Sequence, residues 1–258
     1  MIDFMDKLAL DAKATVDSGY YNRIEATRHV TKSLRSSILL SRKMPIITEV
    51  KAASPSKGVI RHDFSPEEIS KAMARGGAVG ISVLTEPNHF NGSVENLAKI
   101  REISDLPLLM KDIVVSQKQL DAAFKLGANA VLLIQTIFDR GYCSLGLDEM
   151  IAKAHSNNLE VLLEAHTANE FKRAMSTNTD LVGINNRNLG TLKIDLNTTK
   201  NILAGLKLEG KVVVSESGIS TPAELRFLHD CGAQAFLIGS AVMSADDVES
   251  KVREFVNA

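Results

Sequence analysis

Cysteine is scarce in this chain, and its two cysteines show no spacing typical of a metal site. Cys143 and Cys231 lie far apart and are too few for a disulfide framework. They indicate reduced thiols in a cytosolic protein. The first residues include Asp3 and Asp6 and lack an apolar core run, so they do not resemble a signal peptide. We therefore expect a cytoplasmic protein.

The sequence also lacks an excess of charge of one sign and lacks a long apolar run. A net charge of −1 provides no field that would attract nucleic acid or an anionic membrane. No stretch approaches the roughly 18 to 20 apolar residues of a membrane span. Neither nucleic acid nor a membrane is an expected partner, and any anionic ligand must be held by local basic residues.

What the chain does contain is a pattern of short apolar runs that alternate with helical segments. The eight runs cover residues 45–51, 78–85, 107–115, 130–134, 160–165, 181–186, 211–217 and 235–241. The expected helix caps are Ser65, Ser116, Thr167 and Thr221, and the expected helix stops are Gly77, Gly127 and Gly232. This alternation predicts an α/β protein with a parallel sheet that is covered on both faces.

Eight repeats favour a closed (βα)8 TIM barrel over an open doubly wound sheet. No GxGxxG motif follows the first strand, which also counts against a dinucleotide-binding fold. We predict one domain over residues 1–258, with the barrel at 45–258. Residues 1–44 are expected to form an N-terminal helical extension in two pieces, broken near Gly19, that caps one end of the barrel.

Polar residues stand at the end of nearly every predicted strand. The chain has Glu49 and Lys51, Thr85 and Glu86, Lys111 and Asp112, Glu164, Asn185 to Arg187, Glu216 to Gly218, and Gly239 with Ser240 at these positions. Strand four, at 130–134, is the exception and is expected to supply little but packing. Because the active sites of TIM barrels form at the carboxyl ends of the strands, these residues predict a common site.

The first strand raises the question of whether these charged residues are structural or functional. Ile47, Glu49 and Lys51 share one face of the strand, because side chains alternate between faces. The two charges are either a structural salt bridge or part of a working site. Charged ends on the neighbouring strands favour the working site.

Two strand ends have the composition of phosphate-binding turns. "SESGIS" at 215–220 and "IGSAVM" at 238–243 place glycine where a strand passes into a helix. Glycine lets the backbone approach a phosphate closely, and the amide groups at a helix start complement its charge. Such turns after strands seven and eight recur in TIM barrels, so together they predict a phosphorylated ligand.

Five motifs resemble those of the indole-3-glycerol phosphate synthase family. They are "ITEVKAASPSKG", "LTEPNHFNGS", "LLMKDIVV", "GINNRNL" and "VSESGI", in family order along the chain. The resemblance implies the reaction in which 1-(2-carboxyphenylamino)-1-deoxyribulose 5-phosphate loses carbon dioxide and water to give indole-3-glycerol phosphate. It implies no metal and no organic cofactor, and the partner is a phosphorylated small molecule. A monomer is the simplest expectation.

The resemblance also implies roles for individual residues. Lys111 matches the general acid of ring closure, and Glu164 matches a carboxylate of the dehydration step. The other catalytic matches are Glu49, Lys51, Asn185, Glu216 and Ser217. The substrate-binding matches are Ser54, Phe90, Arg187 and Leu189. The phosphate-binding matches are Lys51, Gly218, Gly239 and Ser240. One departure is Ile113, where the family often has phenylalanine, so that ring stacking from that side is lost.

Simpler roles remain open for several of these residues. Arg187 could form a salt bridge with Asp195, and Phe90 could belong to the core. Five histidines, His29, His62, His89, His155 and His229, are interpreted as surface residues, and His166 as a loop or supporting residue.

Two other functions compete with this interpretation. A sugar-phosphate isomerase on a related barrel would need a Cys or Asp acid–base pair at the strand ends, and neither cysteine lies there. A non-catalytic phosphate-binding barrel would keep the glycine turns but would have no use for Lys111 together with Glu164.

Overall fold

The computed structural model of the protein describes residues 2–22, 24–27, 29–30, 32–54, 58–61, 64–206, 208 and 210–258. Its strands are β1 Ile46–Val50, β2 Ala53–Ser54, β3 Gly58–Val59, β4 Gly80–Leu84, β5 Leu108–Lys111, β6 Ala130–Ile134, β7 Glu160–Ala165, β8 Leu181–Asn185, β9 Val212–Glu216 and β10 Ala235–Ile238. Eight of them, all parallel, close into a barrel in the order β1-β10-β9-β8-β7-β6-β5-β4. The predicted TIM barrel is confirmed. The short strands β2 and β3 form a separate antiparallel pair after β1.

Helices follow the barrel strands as the sequence pattern predicts. Their bounds are α1 Phe4–Asp17, α2 Leu34–Leu39, α3 Pro66–Gly76, α4 Val94–Ile103, α5 Gln117–Lys125, α6 Gln135–Asp139, α7 Leu147–Ser156, α8 Ala168–Ser176, α9 Asn197–Leu203, α10 Pro222–Asp230, α11 Ser240–Met243 and α12 Val248–Val256. The hydroxyls of Ser65, Ser116, Thr167 and Thr221 accept hydrogen bonds from backbone N–H groups at the starts of α3, α5, α8 and α10.

None of the helices formed by the described residues is long and apolar enough to cross a membrane.

The barrel strands are buried on both faces, which explains their continuous apolar character. Every residue of β1, β4, β6, β8 and β9 is buried. Outward-facing side chains pack under the helices, and inward-facing ones fill the barrel. This rigid frame fixes the direction in which each strand end projects its last side chains.

The N-terminal extension contacts both ends of the barrel. At the carboxyl ends of the strands, Arg140 holds Asp6 and Asp3 of the α1 region at 2.6 and 2.7 Å. At the amino ends, the Leu34 N–H of α2 donates to the carboxylate of Glu160, the first residue of β7, at 2.7 Å. The prediction that the extension caps one end of the barrel is therefore wrong.

Between α1 and α2 the described residues (18–22, 24–27, 29–30 and 32–33) form no helix, and two of them bind the outside of the β5–α5 unit. The Thr27 N–H donates to the Lys125 carbonyl at 2.9 Å, and the Asn129 side chain donates to the Val30 carbonyl at 2.5 Å. These bonds to later parts of the chain replace the internal bonds of a helix. We name the segment from Gly19 to Lys32 the crossing segment.

The Glu160 carboxylate should contribute strongly to the docking of α2. It accepts from the Ser33 hydroxyl and from the backbone N–H groups of Leu34 and Arg35, which have no partner inside the helix. We expect Glu160→Ala to lower the free energy of unfolding by about 1–3 kcal/mol. Urea unfolding followed by circular dichroism would measure this, with the exposed Glu102→Ala as control. Equal stability of the two variants would contradict the assignment.

Candidate active site

A cavity of about 280 Å³ opens at the carboxyl ends of the strands. We call it the central pocket. Of the residues that the motifs single out, all but Ser54 line it, namely Glu49, Lys51, Phe90, Lys111, Glu164, Asn185, Arg187, Leu189, Glu216, Ser217, Gly218, Gly239 and Ser240. The backbone of Ser54 pairs with Gly58, while its side chain and residues 55–57 lie outside what the structure describes. The strand ends thus converge on one pocket.

Two lysines and three carboxyl groups meet at the floor of the central pocket. Lys51 Nζ lies 2.6 Å from Glu49 Oε1. Lys111 Nζ lies 3.5 Å from Glu164 Oε2 and 3.5 Å from Glu216 Oε2. All three carboxyl groups are almost fully buried. Glu49 and Lys51 form an ion pair, and that pair lines the pocket, while its part in catalysis stays a prediction.

The environment of Lys111 favours its charged form. Burial by itself would lower the pKa of Lys111, but the carboxyl groups of Glu216 and Glu164, with Glu49 further away, outweigh that effect and raise it. Lys111 therefore carries a proton at neutral pH. A protonated lysine that lines a pocket can donate its proton to a ligand bound there.

The environment of Glu216, in contrast, favours its neutral form. Burial, with the negative charges of Glu164 and Glu49 adding to it, raises the pKa of Glu216 to about 8, although Lys111 acts in the other direction. Neither carboxyl oxygen of Glu216 has a hydrogen-bond partner among the described residues. The pocket floor thus holds the ion pair of Lys51 with Glu49 and a Lys111 that lies 3.5 Å from both Glu164 and Glu216, of which Glu216 keeps its proton to a higher pH than an exposed glutamate.

Asn185 and His166 hold Glu164 and its strand in place. The Asn185 side chain donates to Glu164 Oε1 at 2.9 Å. His166 Nδ1 lies 2.7 Å from the Asn185 carbonyl, outside the wall of the central pocket. His166 thus has the supporting position that the sequence predicts.

Gly239 leaves room for the ion pair between Glu49 and Lys51. A Cβ atom at this position would lie 2.5 Å from Glu49 Oε1 and 3.0 Å from Lys51 Nζ. The sequence predicts Gly239 only as a phosphate contact, and the structure adds this second reason for a glycine. At the other turn, Ser217 and Gly218 both have positive φ, 67° and 88°. This conformation is uncommon for serine and turns the backbone sharply at the pocket wall.

Arg187 has no carboxylate partner among the described residues. Its guanidinium donates to the Leu192 carbonyl at 3.1 Å, and burial lowers its pKa. Asp195 instead accepts from the N–H and the side chain of Asn197, so the alternative of a salt bridge between Arg187 and Asp195 is wrong. A half-buried cation of this kind can bind an anionic ligand.

An apolar wall faces the charged floor, and the sequence analysis missed most of it. Its side chains are Phe4, Ile113, Leu132, Ile134, Leu192 and Ile194. Strand β6, which the sequence predicts as strand four, supplies Leu132 and Ile134, so it contributes to the pocket as well as to packing. Phe4 comes from α1, which is distant in sequence. The only local signal was its place on the apolar face of that helix.

The loop after β4 supplies Phe90 and binds α1. The Glu86 carboxylate accepts the N–H groups of Asn88, His89 and Phe90 at 2.9, 2.7 and 3.1 Å. His89 Nε2 lies 2.8 Å from the Asp11 carboxylate, and its ring meets Phe4 edge to face. The His89 side chain is 13% exposed, so its prediction as a surface residue is wrong. The same loop orders both Phe90 and Phe4.

Asp112 connects the crossing segment to the strand end that carries Lys111. Its carboxylate accepts from the Tyr21 hydroxyl at 2.8 Å, from the Thr85 hydroxyl and from the Ile113 N–H at 2.7 Å. Burial raises the pKa of Asp112 to about 6 in spite of these bonds. The sequence places Asp112 at a strand end but gives no sign of the tyrosine.

The described residues contain no group of three or more His, Cys, Asp or Glu side chains that could hold a metal ion. Lysine, carboxyl, arginine and glycine positions dominate the pocket. The arrangement can donate a proton, hold anions at two places and enclose an apolar ring.

Comparison with known proteins agrees with this geometry. The profile of the indole-3-glycerol phosphate synthase family matches residues 6–255. The chain belongs to this family. The member from Methanocaldococcus jannaschii is 45% identical over 217 residues, which are 83% of this chain and 78% of that protein. The member from Neisseria meningitidis serogroup B is 40% identical over 243 residues, 93% of this chain and 91% of that protein.

Family membership confirms the resemblance that the motifs indicate. Among solved structures, a 3-hexulose-6-phosphate synthase is similar with a TM-score of 0.63 and 16% identity, covering 83% of this chain and all of that chain. An N-acetylmannosamine-6-phosphate 2-epimerase from Clostridium perfringens has a TM-score of 0.61 and 17% identity, covering 84% of this chain and 93% of that chain. At this identity both support the fold alone.

The raised pKa of Glu216 predicts a dependence of stability on pH. The folded protein keeps this proton up to about pH 8, whereas an unfolded chain releases it near 4.5. Unfolding in this interval releases a proton, so stability is lost as the pH rises from 4.5 to 8, by up to about 1.4 kcal/mol for each unit of pKa difference. We expect Glu216→Gln to raise the melting temperature relative to the wild type more at pH 8 than at pH 5. An offset that does not change with pH would contradict the assignment.

Proposed function

We propose that the central pocket is where the reaction of the family takes place, with Lys111 as the acid of ring closure. Membership of the family makes the chain a decarboxylating lyase of tryptophan biosynthesis. The substrate is 1-(2-carboxyphenylamino)-1-deoxyribulose 5-phosphate, and the products are indole-3-glycerol phosphate, carbon dioxide and water. The observation that carries the proposal is the charged Lys111, held between Glu164 and Glu216 at 3.5 Å from each.

The first half of the reaction forms a carbon–carbon bond. The ring carbon that bears the carboxylate attacks the ketone carbon of the sugar chain, and Lys111 donates a proton to the ketone oxygen, which becomes a hydroxyl. Carbon dioxide then leaves with its bonding electrons returning to the ring. A proton donor that stays charged inside a buried pocket stabilises the developing alkoxide.

The second half removes water. The anilino nitrogen expels the new hydroxyl, which needs a proton in order to leave, and a proton is lost from the neighbouring carbon. Glu164 and Glu216 lie on either side of Lys111, so one carboxylate can accept a proton while a protonated group donates one. We assign the acceptance to Glu164, which forms an ion pair with Lys111 and a bond with Asn185.

The two ends of the substrate are anions, and the pocket offers a cation for each. We assign the phosphate to Gly218, Gly239 and Ser240, with Lys51 beside them. Arg187, which has no carboxylate partner among the residues described, is assigned to the carboxylate that later leaves. The apolar wall around Phe4 and Leu132 would hold the ring between these two ends. Holding both ends brings the reacting carbons together.

Both competing functions find less support. The isomerase would need an acid–base pair with cysteine or aspartate, yet Cys143 lies in the loop before α7 and Cys231 at the end of α10. A binding protein without activity would gain nothing from three buried carboxyl groups and a buried lysine, which cost stability. The expectations of a monomer and of a cytoplasmic location remain predictions.

Removal of the Lys111 amino group should abolish ring closure. We expect Lys111→Ala to lower kcat by about 100- to 10,000-fold, because the ketone loses its proton donor. Product formation from the carboxyphenylamino substrate can be followed by indole fluorescence. Lys99→Ala, at an exposed position of α4, is the matched control and should retain wild-type turnover. Full turnover by Lys111→Ala would exclude Lys111 as the acid. If the wild type binds a product analogue but does not turn over the substrate, the alternative of a non-catalytic binding protein is favoured.

Phe4 should affect binding of the substrate ring more than the chemical steps. The side chain of Phe4 lines the pocket and has no group that can transfer a proton, so we expect Phe4→Ala to raise KM about five- to tenfold through lost apolar contact. We expect kcat to change much less. Phe124→Ala, on α5 away from the pocket, controls for the loss of an aromatic ring. A KM unchanged by Phe4→Ala would show that α1 does not form part of the binding site.

A further inference from the structure

Gly183 lies in β8 between the two strands that carry Glu164 and Glu216. In the sheet register, Gly183 of β8 pairs with Glu164 of β7 on one side and with Val214 of β9 on the other. Asn185, two residues further along β8, pairs with Glu216 of β9. Because side chains alternate along a strand, positions 183 and 185 share one face. Position 183 therefore lies directly below the pocket floor.

The Glu216 carboxyl group occupies the space that a side chain at position 183 would fill. A Cβ atom built on Gly183 would lie 2.2 Å from Glu216 Oε1 and 3.3 Å from its carboxyl carbon. It would also lie 3.5 Å from the Cα atom of Glu164. The first distance is far below any non-bonded contact, so even alanine at 183 requires Glu216 to move.

The Glu216 carboxyl group has its nearest cation on the pocket side. Its side chain is 1% exposed, and Lys111 Nζ lies 3.5 Å from Oε2 on the pocket side. The charged groups that act on it are Lys111 from β5, Glu164 from β7 and Glu49 from β1, of which Glu49 forms an ion pair with Lys51. A carboxyl group displaced from Gly183 would shift upward, toward Lys111 and the water of the open pocket.

We propose that Gly183 is a positioning residue for the reaction, because its missing side chain forms the niche that holds the Glu216 carboxyl group below Lys111. We name this space the Gly183 niche. Within it the Glu216 carboxyl group has no hydrogen-bond partner among the described residues and lies 3.5 Å below the Lys111 ammonium group, which is also 3.5 Å from Glu164. The proposal rests on the proposed function for its kinetic readout.

Gly80, another glycine in a barrel strand, helps to distinguish this arrangement from a general need for small residues in the barrel strands. A Cβ atom on Gly80, the first residue of β4, would meet the end of the Leu34 side chain at 2.5 Å, far from any catalytic group. Gly80→Ala is therefore the matched control, since it also introduces a methyl group into a barrel strand. It should lower stability without changing kcat per folded molecule.

A double-mutant cycle tests the niche through stability. We expect Gly183→Ala to lower the melting temperature strongly in the wild-type background but only slightly in a Glu216→Ala background, where the obstructing carboxyl group is gone. The cost of Gly80→Ala should be the same in both backgrounds. If Gly183→Ala costs as much without the Glu216 side chain as with it, the niche does not exist and the proposal is overturned. This arm needs no activity.

Kinetics test the positioning role. We expect Gly183→Ala to lower kcat about tenfold or more and KM to change much less, because the substrate anchors are untouched. Glu216→Asp shortens the side chain by about 1.5 Å and frees the space for the added methyl group. The double variant Gly183→Ala/Glu216→Asp should therefore be at least about fivefold more active than the product of the single effects predicts. Simple multiplication of the two losses would overturn the positioning role.

Infrared spectroscopy tests the proton on Glu216 directly. The wild type should show a protonated-carboxyl C=O band that disappears with a midpoint near pH 8 and is absent from Glu216→Gln. In Gly183→Ala the midpoint should fall, because the displaced group is better hydrated and closer to Lys111. An unchanged midpoint would overturn the proposal. Failure of the wild type to turn over the substrate would instead overturn the proposed function, and the spectroscopic and stability results would still decide whether the niche exists.

Discussion

The balance of charge around Lys111 is the constraint on which the rest of the pocket depends. Ionised carboxyl groups inside an apolar barrel need a cation close by, and the pocket floor provides two ammonium groups for three carboxyl groups. Lys51 matches Glu49, and Lys111 matches Glu164. Glu216 shares Lys111 with Glu164, at 3.5 Å from each, and its burial keeps its proton bound to a higher pH than on an exposed glutamate. The protonation pattern therefore follows from the number of lysines and from how deep each carboxyl group lies.

The fold serves this balance by placing the charged groups at the ends of four rigid strands, with Glu49 and Lys51 at the end of β1 and Lys111, Glu164 and Glu216 at the ends of β5, β7 and β9. These residues lie at the ends of strands whose preceding residues are buried, apart from Glu160 at the start of β7. Two glycines, Gly183 and Gly239, provide room where a carboxyl group lies against the backbone of a neighbouring strand. Apolar side chains close the opposite wall. A pocket of this kind costs stability locally, and the large barrel core around it offsets that cost.

The sequence is informative where periodicity and strand direction decide the structure. The alternation of apolar runs and capped helices predicts the eight units, and because parallel strands end on one side, residues as distant as Glu49 and Ser240 are predicted to meet. What depends on the direction of individual side chains is not readable in this way. Phe4 reaches the pocket only because α1 folds back over it, and Tyr21 meets Asp112 across 91 residues of chain. The wrong interpretation of His89 has the same origin, since its partner Asp11 is remote in sequence.

The bonds of the extension have a consequence for the order in which the chain can fold as it is made. The first forty residues leave the ribosome first, yet their partners come much later: Arg140 for Asp3 and Asp6, and Glu160 for Leu34. Synthesis at about 5–20 residues per second leaves a delay on the order of ten seconds before those partners emerge. The loop after β4, whose His89 pairs with Asp11 of α1, emerges earlier, but the bond between α2 and Glu160 can form only after the start of β7 has been synthesised.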